Sequence, residues 1–232
     1  LEKHKRFSSK SKSNSIGGIL LLFFFIFQFN IYSAEFYLLA FLILVTLIGF
    51  MSDIKKLNNV GFRFFLQLVL IIFFITILDY KIISTKIEFF DNILKNQFFN
   101  IFFVTFCLMV LINGSNFVDG LNGLLIKYYL IIFCIIYLVF PDNVSANKDL
   151  LANLIFVLSF ILIINLLGYI YLGDSGAYLL SLFTGLYLID FSSNNSFISP
   201  YLVIIFLWYP CFELLFSMVR RLSRSRRAYK PD

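Results

Sequence analysis

LLANLIFVLSFILIINLLGYIYLGDSGAYLLSLFTGLYLIDF, residues 150–191, is two apolar runs on either side of Gly173-Asp174-Ser175-Gly176. Both runs approach the length of a membrane-spanning helix, about 20 residues. Neither alternates polar with apolar positions as a lipid-facing barrel strand would, so both read as helices. No Lys or Arg occurs between Asp149 and Val219, which leaves Asp174 without a basic neighbour in sequence. An unpaired carboxylate so close to hydrocarbon is costly, and its need for a cation makes Asp174 a functional candidate.

The same texture extends over the whole chain. Of 232 residues, 60% are hydrophobic, 14% are charged and 32 are Phe, and the mean hydropathy is +0.90. A soluble domain cannot hide that much apolar surface. Eight spans are expected, at Ile16–Tyr32, Glu35–Met51, Phe62–Asp79, Phe98–Asn113, Leu124–Phe140, Leu150–Gly168, Ala177–Phe191 and Ile198–Val219. They form one all-α polytopic domain, a transmembrane helical bundle over 1–232. Ile16–Tyr32 sits too deep in the multi-span pattern to be a cleaved signal peptide. Leu1 in place of Met, and a last residue Asp232 just past a basic run, read as a fragment truncated at both ends. Cys107, Cys134 and Cys211 lie inside spans without metal-cluster spacing and read as small buried apolar residues.

Eight spans divide the connecting segments between two sides. Fifteen of the nineteen Lys and Arg fall on one side, and the other four, Lys81, Lys86, Lys95 and Lys148, on the opposite side. The positive-inside rule assigns the first side to the cytoplasm. The net charge of +6 is then mainly a topological signal and not the mark of a nucleic-acid partner, and the terminal Arg cluster suits anionic lipid heads. The loops holding Asp53, Asn113–Gly123 and Gly173–Gly176 all fall on that cytoplasmic side.

Each motif has a plain alternative. Asp53, followed by Lys55, Lys56, Arg63 and Gln67, suits a metal or a nucleophile with Arg63 on a phosphate, or an ordinary helix end with interfacial charges. In Asn113-Gly114-Ser115-Asn116-Phe117-Val118-Asp119-Gly120-Leu121-Asn122-Gly123 a polar amide or acid recurs every third residue among three glycines. Asn can read base edges or hydroxyls, Asp can take a cation, and Gly permits close approach of backbone to ligand. A mere connecting turn would not need so many polar groups. Gly173–Gly176 opens a span, where backbone N–H groups favour phosphate and Asp174 suits the accompanying Mg²⁺; alternatively Asp174 or Ser175 is an N-cap. Glu213, three residues after the helix-bending Pro210, is read either as lining a groove or as reaching Arg220 at the interface. His4 lies in a basic segment and is given no role.

In order and spacing these segments resemble the cytoplasmic motifs of the polyprenyl-phosphate N-acetylhexosamine-1-phosphate transferases, the glycosyltransferase family 4 superfamily that includes phospho-MurNAc-pentapeptide translocase. Asn113–Leu124 resembles the family's N-x-x-N-x-x-D-G-[LI]-[DN]-G-L, and Leu172–Gly176 its M-G-D-S-G. Ser15–Ile19 resembles its P-R-x-G-G-[IL], and Pro210–Asp232 the segment that leads to its His-x-His-His cluster, which would begin past Asp232. The resemblance implies a membrane enzyme that transfers sugar-1-phosphate from a UDP-sugar to undecaprenyl phosphate at the cytoplasmic face of the bacterial inner membrane, with Mg²⁺ (or Mn²⁺), releasing UMP. Ser175 in that motif favours the branch that initiates cell-envelope polysaccharides such as O-antigen. The partners implied are the UDP-sugar, undecaprenyl phosphate and the bilayer, with a homodimer as the candidate assembly. By the match Asp174 is the metal ligand, Asn113, Asn116 and Asp119 line the nucleotide-sugar pocket with Asn122, and Arg63 neighbours the pyrophosphate. Two positions depart from the pattern: Ser52 replaces the first of two adjacent acids, and Asn122 stands where many members have Asp.

The chemistry tolerates the first departure. A phosphomonoester's second pKa is about 6, so the lipid phosphate is largely dianionic at pH 7 and serves as its own nucleophile. Positioning and charge neutralisation then dominate. Asp53 is expected to orient the lipid phosphate, Asp119 to support the cation on Asp174, and Ser52 to be a spectator or a hydroxyl donor to phosphate. The competing class, a non-enzymatic transporter, calls for midplane charges and repeat symmetry; the acids instead lie at one surface and no inverted repeat is visible.

Overall fold

The computed structural model describes residues 16–29, 35–119, 123–140, 148–195 and 198–223. Among them run nine helices: α1 Gly17–Gln28, α2 Glu35–Asp53, α3 Val60–Leu78, α4 Glu88–Leu94, α5 Gln97–Val118, α6 Leu124–Val139, α7 Lys148–Leu166, α8 Gly173–Asn194 and α9 Pro200–Ser223. The protein is all-α and polytopic, and each of the eight expected spans coincides with a helix. Five of these, α2, α3, α5, α7 and α9, are long and apolar enough to cross a membrane, whereas α1 and α6 are shorter apolar helices. The eighth, α8, is long but less apolar.

Its position explains why. Ala177 through Ile189 are all buried, and α8 packs on α1, α2, α5, α6 and α9. A helix wrapped by protein meets side chains in place of lipid, so it can carry small and hydroxylated residues that permit close approach. Ser181 Oγ donates to Ala177 O at 2.6 Å and Thr184 Oγ1 to Leu180 O at 2.6 Å, so neither hydroxyl is left unsatisfied. The apolar positions of α8 supply the core: Phe183 meets Phe25 at 4.6 Å between ring centroids and continues through Tyr187 to Phe191.

Three boundaries differ from expectation. Helix α5 continues through Val118, so Asn113 and Asn116 lie on helix and not in a loop. Ending the helix at Asn113 overlooked that Asn, Gly and Ser are tolerated in a helix packed on both sides. Gly173–Gly176 is likewise the first turn of α8. The link between α3 and α5 contains α4, with Phe89 exposed and Leu94 buried; an amphipathic seven-residue helix falls short of any span pattern. At one end of the bundle gather the starts of α1, α3, α6 and α8 and the ends of α2, α5, α7 and α9. Lys81, Lys86, Lys95 and Lys148 belong to the other end.

Candidate active site

Glycines bring the site together. A Cβ on Gly49 would stand 2.5 Å from Ser175 Cα, and one on Gly18 2.3 Å from Gly176 N. Without side chains there, α1 and α2 press directly on the first turn of α8. Gly17 and Gly18 also donate their N–H groups to the carbonyls of Tyr171 and Leu172, at 3.0 and 3.1 Å. This contact gives the Gly-Gly pair at the start of α1 its role.

That approach delivers the last residue of α2 to the head of α8. Asp53 Oδ1 accepts from Asp174 N at 2.9 Å, while its Oδ2 accepts from Ser175 N at 3.1 Å and from Ser175 Oγ at 2.8 Å. The first N–H groups of a helix lack intrahelical partners, and a carboxylate beside them also answers the positive end of the helix dipole. Leu172, the N-cap residue of α8, makes no side-chain cap. Asp53 therefore caps α8 from another helix. In this arrangement both Asp53 oxygens are engaged by protein, and Ser175, read from sequence as a possible cap, instead donates its hydroxyl to Asp53.

Asp174 is held by side chains. Arg63 Nη1 pairs with Asp174 Oδ2 at 2.9 Å, both side chains being 16% exposed. Ser52 Oγ donates to the same oxygen at 2.6 Å, and Arg63 Nη1 also donates to Ser52 Oγ. The cation that Asp174 lacks in sequence is thus supplied, at least in part, by α3 across 111 positions of chain. Absence of a base nearby in sequence had no bearing on what three converging helices could place there. Ser52 is thus hydrogen-bonded to both members of the pair.

One turn deeper lies a second rung. Arg63 and Gln67 are four apart on α3, as are Asp174 and Tyr178 on α8, so each pair shares a helix face about 6 Å apart along the axis. Gln67 is 1% exposed and lies beside Tyr178. Its Oε1 accepts from Asn113 Nδ2 at 3.4 Å, and Asn113 Nδ2 also donates to Met109 O at 2.8 Å. Hydrogen bonds therefore join Asp53, Ser52, Arg63, Asp174 and Ser175 at the head of α8, and Asn113 with Gln67, beside Tyr178, one turn deeper. Asn116 follows Asn113 by one turn on α5, and Asp119 is that helix's C-cap residue. Asn122 lies outside the described residues. Sequence reading named Gln67 without giving it a role and missed Tyr178 and the bonding of Ser175 to Asp53; the four-residue spacing of Arg63 and Gln67 was the available signal for the first.

The donor set suits a hard cation. Among the described residues no three His, Cys, Asp or Glu cluster, but Asn116 Oδ1 is buried without a hydrogen-bond partner. Carboxylate and amide oxygens, with at most two acids together, are what Mg²⁺ takes when substrate phosphates and water complete its shell.

Comparison with known proteins places the chain in a family. The model of glycosyl transferase family 4 matches residues 35–192. Phospho-N-acetylmuramoyl-pentapeptide-transferases of Buchnera aphidicola subsp. Acyrthosiphon pisum, strains Tuc7, 5A and APS, are each 32% identical to the chain over 163 residues. The alignment covers 61% of this chain and 45% of each relative, so the chain spans less than half the length of these relatives. No solved structure matches. With more than half of its length, from α2 into α8, matched by one family's model, the chain belongs to glycosyl transferase family 4.

Proposed function

We propose that the protein transfers N-acetylhexosamine-1-phosphate from a UDP-sugar to undecaprenyl phosphate at the cytoplasmic face of the bacterial inner membrane, as the first step of a cell-envelope polysaccharide. The observation that carries this reading is the meeting of Asp53, Ser52, Arg63 and Asp174 from three helices at one end of an apolar bundle. A carboxylate and a guanidinium at the edge of hydrocarbon suit a reaction whose groups are phosphates and one of whose substrates is a lipid. A cavity of about 730 Å³ between α5, α8, α9 and residues 82–87, lined by Phe103, Phe106, Ile189 and Leu207 among others, lies away from Asp174 toward the other end of the bundle and offers apolar room for the distal part of a prenyl chain.

An oxygen of the lipid phosphate forms a bond to the sugar-bearing phosphorus as the bond from that phosphorus to UMP breaks. The lipid phosphate is largely dianionic at pH 7, so no side chain has to take a proton from it. Arg63 holds and neutralises phosphate oxygens, Asn113, Asn116 and Asn122 line the nucleotide-sugar pocket, and Asp53 fixes the head of α8. Asp174, Asp119 and the Asn116 amide oxygen would hold Mg²⁺, which when bound supplies charge neutralisation at the pyrophosphate. The remaining work is positional, which suits phosphoryl transfer.

A second reading takes UDP-N-acetylmuramoyl-pentapeptide as donor, favoured by the names of the Buchnera relatives. Ser175 supports the first donor by resemblance. A transfer assay with undecaprenyl phosphate, Mg²⁺ and each radiolabelled donor in turn separates the two. Lipid-linked label with stoichiometric UMP from a UDP-N-acetylhexosamine is expected. Label from the pentapeptide donor alone replaces the first reading with the second, and label from neither refutes both.

A further inference from the structure

Ser52 sits where three helices meet, and its hydroxyl has a defined polarity. Its single proton goes to Asp174 Oδ2 at 2.6 Å, and its lone pair faces Arg63 Nη1. The same Asp174 oxygen takes Arg63 at 2.9 Å. Two donors from α2 and α3 thus hold one oxygen of a carboxylate rooted in the first turn of α8. Neighbouring Asp53 grips the backbone of that turn and Ser175. Successive residues of α2 divide the work, one fixing the helix and the other its carboxylate.

We propose that Ser52 is a positioning residue that sets the rotamer of Asp174 and lets Arg63 and Asp174 share the site without a third negative charge. The proposal rests on the functional reading above for what Asp174 does, but not for where it is held. A carboxylate at position 52 would stand within hydrogen-bond distance of Asp174 and compete with it for Arg63. Like charges that close repel strongly where water is scarce. The hydroxyl replaces that repulsion with a donated hydrogen bond to a charged acceptor, among the stronger kinds.

The test compares Ser52→Ala, Ser52→Thr and Ser52→Asp in detergent, reading the thermal unfolding midpoint with EDTA or Mg²⁺ and the kcat and KM of UMP release. Ser52→Ala is expected to lower kcat about tenfold, or about 1.4 kcal/mol, with little change in KM for the UDP-sugar. Ser52→Thr, which keeps the hydroxyl, should recover most of that loss; a purely structural role would penalise the added methyl instead. Ser52→Asp should unfold earlier than wild type in EDTA and gain more from Mg²⁺ than wild type does. An alanine variant with wild-type kcat, or a threonine variant no better than alanine, overturns the proposal. If wild type releases no UMP from any donor, the proposed function falls. The EDTA and Mg²⁺ midpoints still decide the placement of Ser52, because an aspartate variant no more Mg²⁺-responsive than wild type would show that positions 52 and 174 are not in contact.

Discussion

Replacing Asp53 separates a carboxylate that acts on substrate from one that holds a helix. Its side chain accepts three hydrogen bonds, at 2.9, 3.1 and 2.8 Å, and Ser175, which supplies two of them, is 0% exposed. Hydrogen bonds to charged groups contribute about 1.5–3 kcal/mol each, and loss of an N-cap costs about 0.5–2 kcal/mol. These figures overlap, because the two backbone bonds are the cap. Asp53→Ala, which strands two amides and a hydroxyl, should destabilise by about 3–4 kcal/mol. Asp53→Asn keeps one good acceptor and should cost about 1–2 kcal/mol, mainly the lost charge at the helix N-terminus. Unfolding in mixed micelles, followed by loss of helical circular dichroism against the mole fraction of denaturing detergent, measures both. UMP release should fall in the same order, because Asp174 and Ser175 move once their amides are released. If Asp53→Asn unfolds within about 0.5 kcal/mol of wild type yet is as inactive as a variant of Asp174, the carboxylate acts on the substrate and the capping argument fails.

Asp174→Asn should leave membrane insertion intact and abolish Mg²⁺-dependent UMP release, since loss of a ligand charge costs several kcal/mol of transition-state stabilisation; retention of more than about a tenth of wild-type turnover, a loss under about 1.4 kcal/mol, would remove Asp174 from the metal. Gly49→Ala puts a Cβ 2.5 Å from backbone of α8, and Gly114→Ala one 2.2 Å from Pro210 O. Each should cost about 2–3 kcal/mol or more, whereas Gly168→Ala, with no neighbour within 4 Å but φ +80°, should cost about 1 kcal/mol through backbone strain alone; equal unfolding shifts for all three would refute the close-packing account. At the far end, the Thr85 N–H and then the Ser84 and Thr85 hydroxyls hold the Asp91 carboxyl below the usual carboxylate range. A depressed folded-state pKa gives a contribution present above the unfolded carboxylate's pKa and lost as pH falls through the folded value. Thr85 amide protection, corrected for intrinsic exchange, should therefore be constant near neutrality and decline only in acid; protection unchanged throughout acidic pH would show that Asp91 does not organise the loop.

The helices were legible because lipid imposes a constraint on sequence that water does not. A span facing hydrocarbon has to be apolar for its whole length, so α2, α3, α5, α7 and α9 announce themselves. The part that sequence conveyed poorly was where protein replaces lipid. The polar end of α5 looked like a loop because Asn113, Gly114, Ser115 and Asn116 would be poor helix in isolation. In the bundle Gly114 lies against Pro210 of α9, and Ser115 shares a hydrogen bond with the buried Tyr129 of α6. The acids were legible as a group because helix alternation puts them at one end. Their partners were not, since the distance from Arg63 to Asp174 depends on helix packing and leaves no local pattern.

The placement of Asp174 also bears on why the site is built from helix ends around one buried helix. A reaction that depends on position requires its groups to stay within a fraction of an ångström of their places. Asp174 belongs to a helix whose following turns, Ala177 through Ile189, are buried on every side. Its first turn is gripped by Asp53 from α2 and by the N–H groups of Gly17 and Gly18 through the carbonyls of Tyr171 and Leu172. Arg63 and Gln67 rise from α3, which is mostly exposed along its length, and meet α8 through Asp174 and Tyr178. The arrangement therefore has a fixed side, α8 with its carboxylate, and a side with fewer constraints, α3 with its guanidinium. In the proposed reaction, a phosphate that draws Arg63 away from Asp174 moves a side chain of α3, while Ser52 and Asp53 remain to keep the carboxylate and the helix beneath it in register.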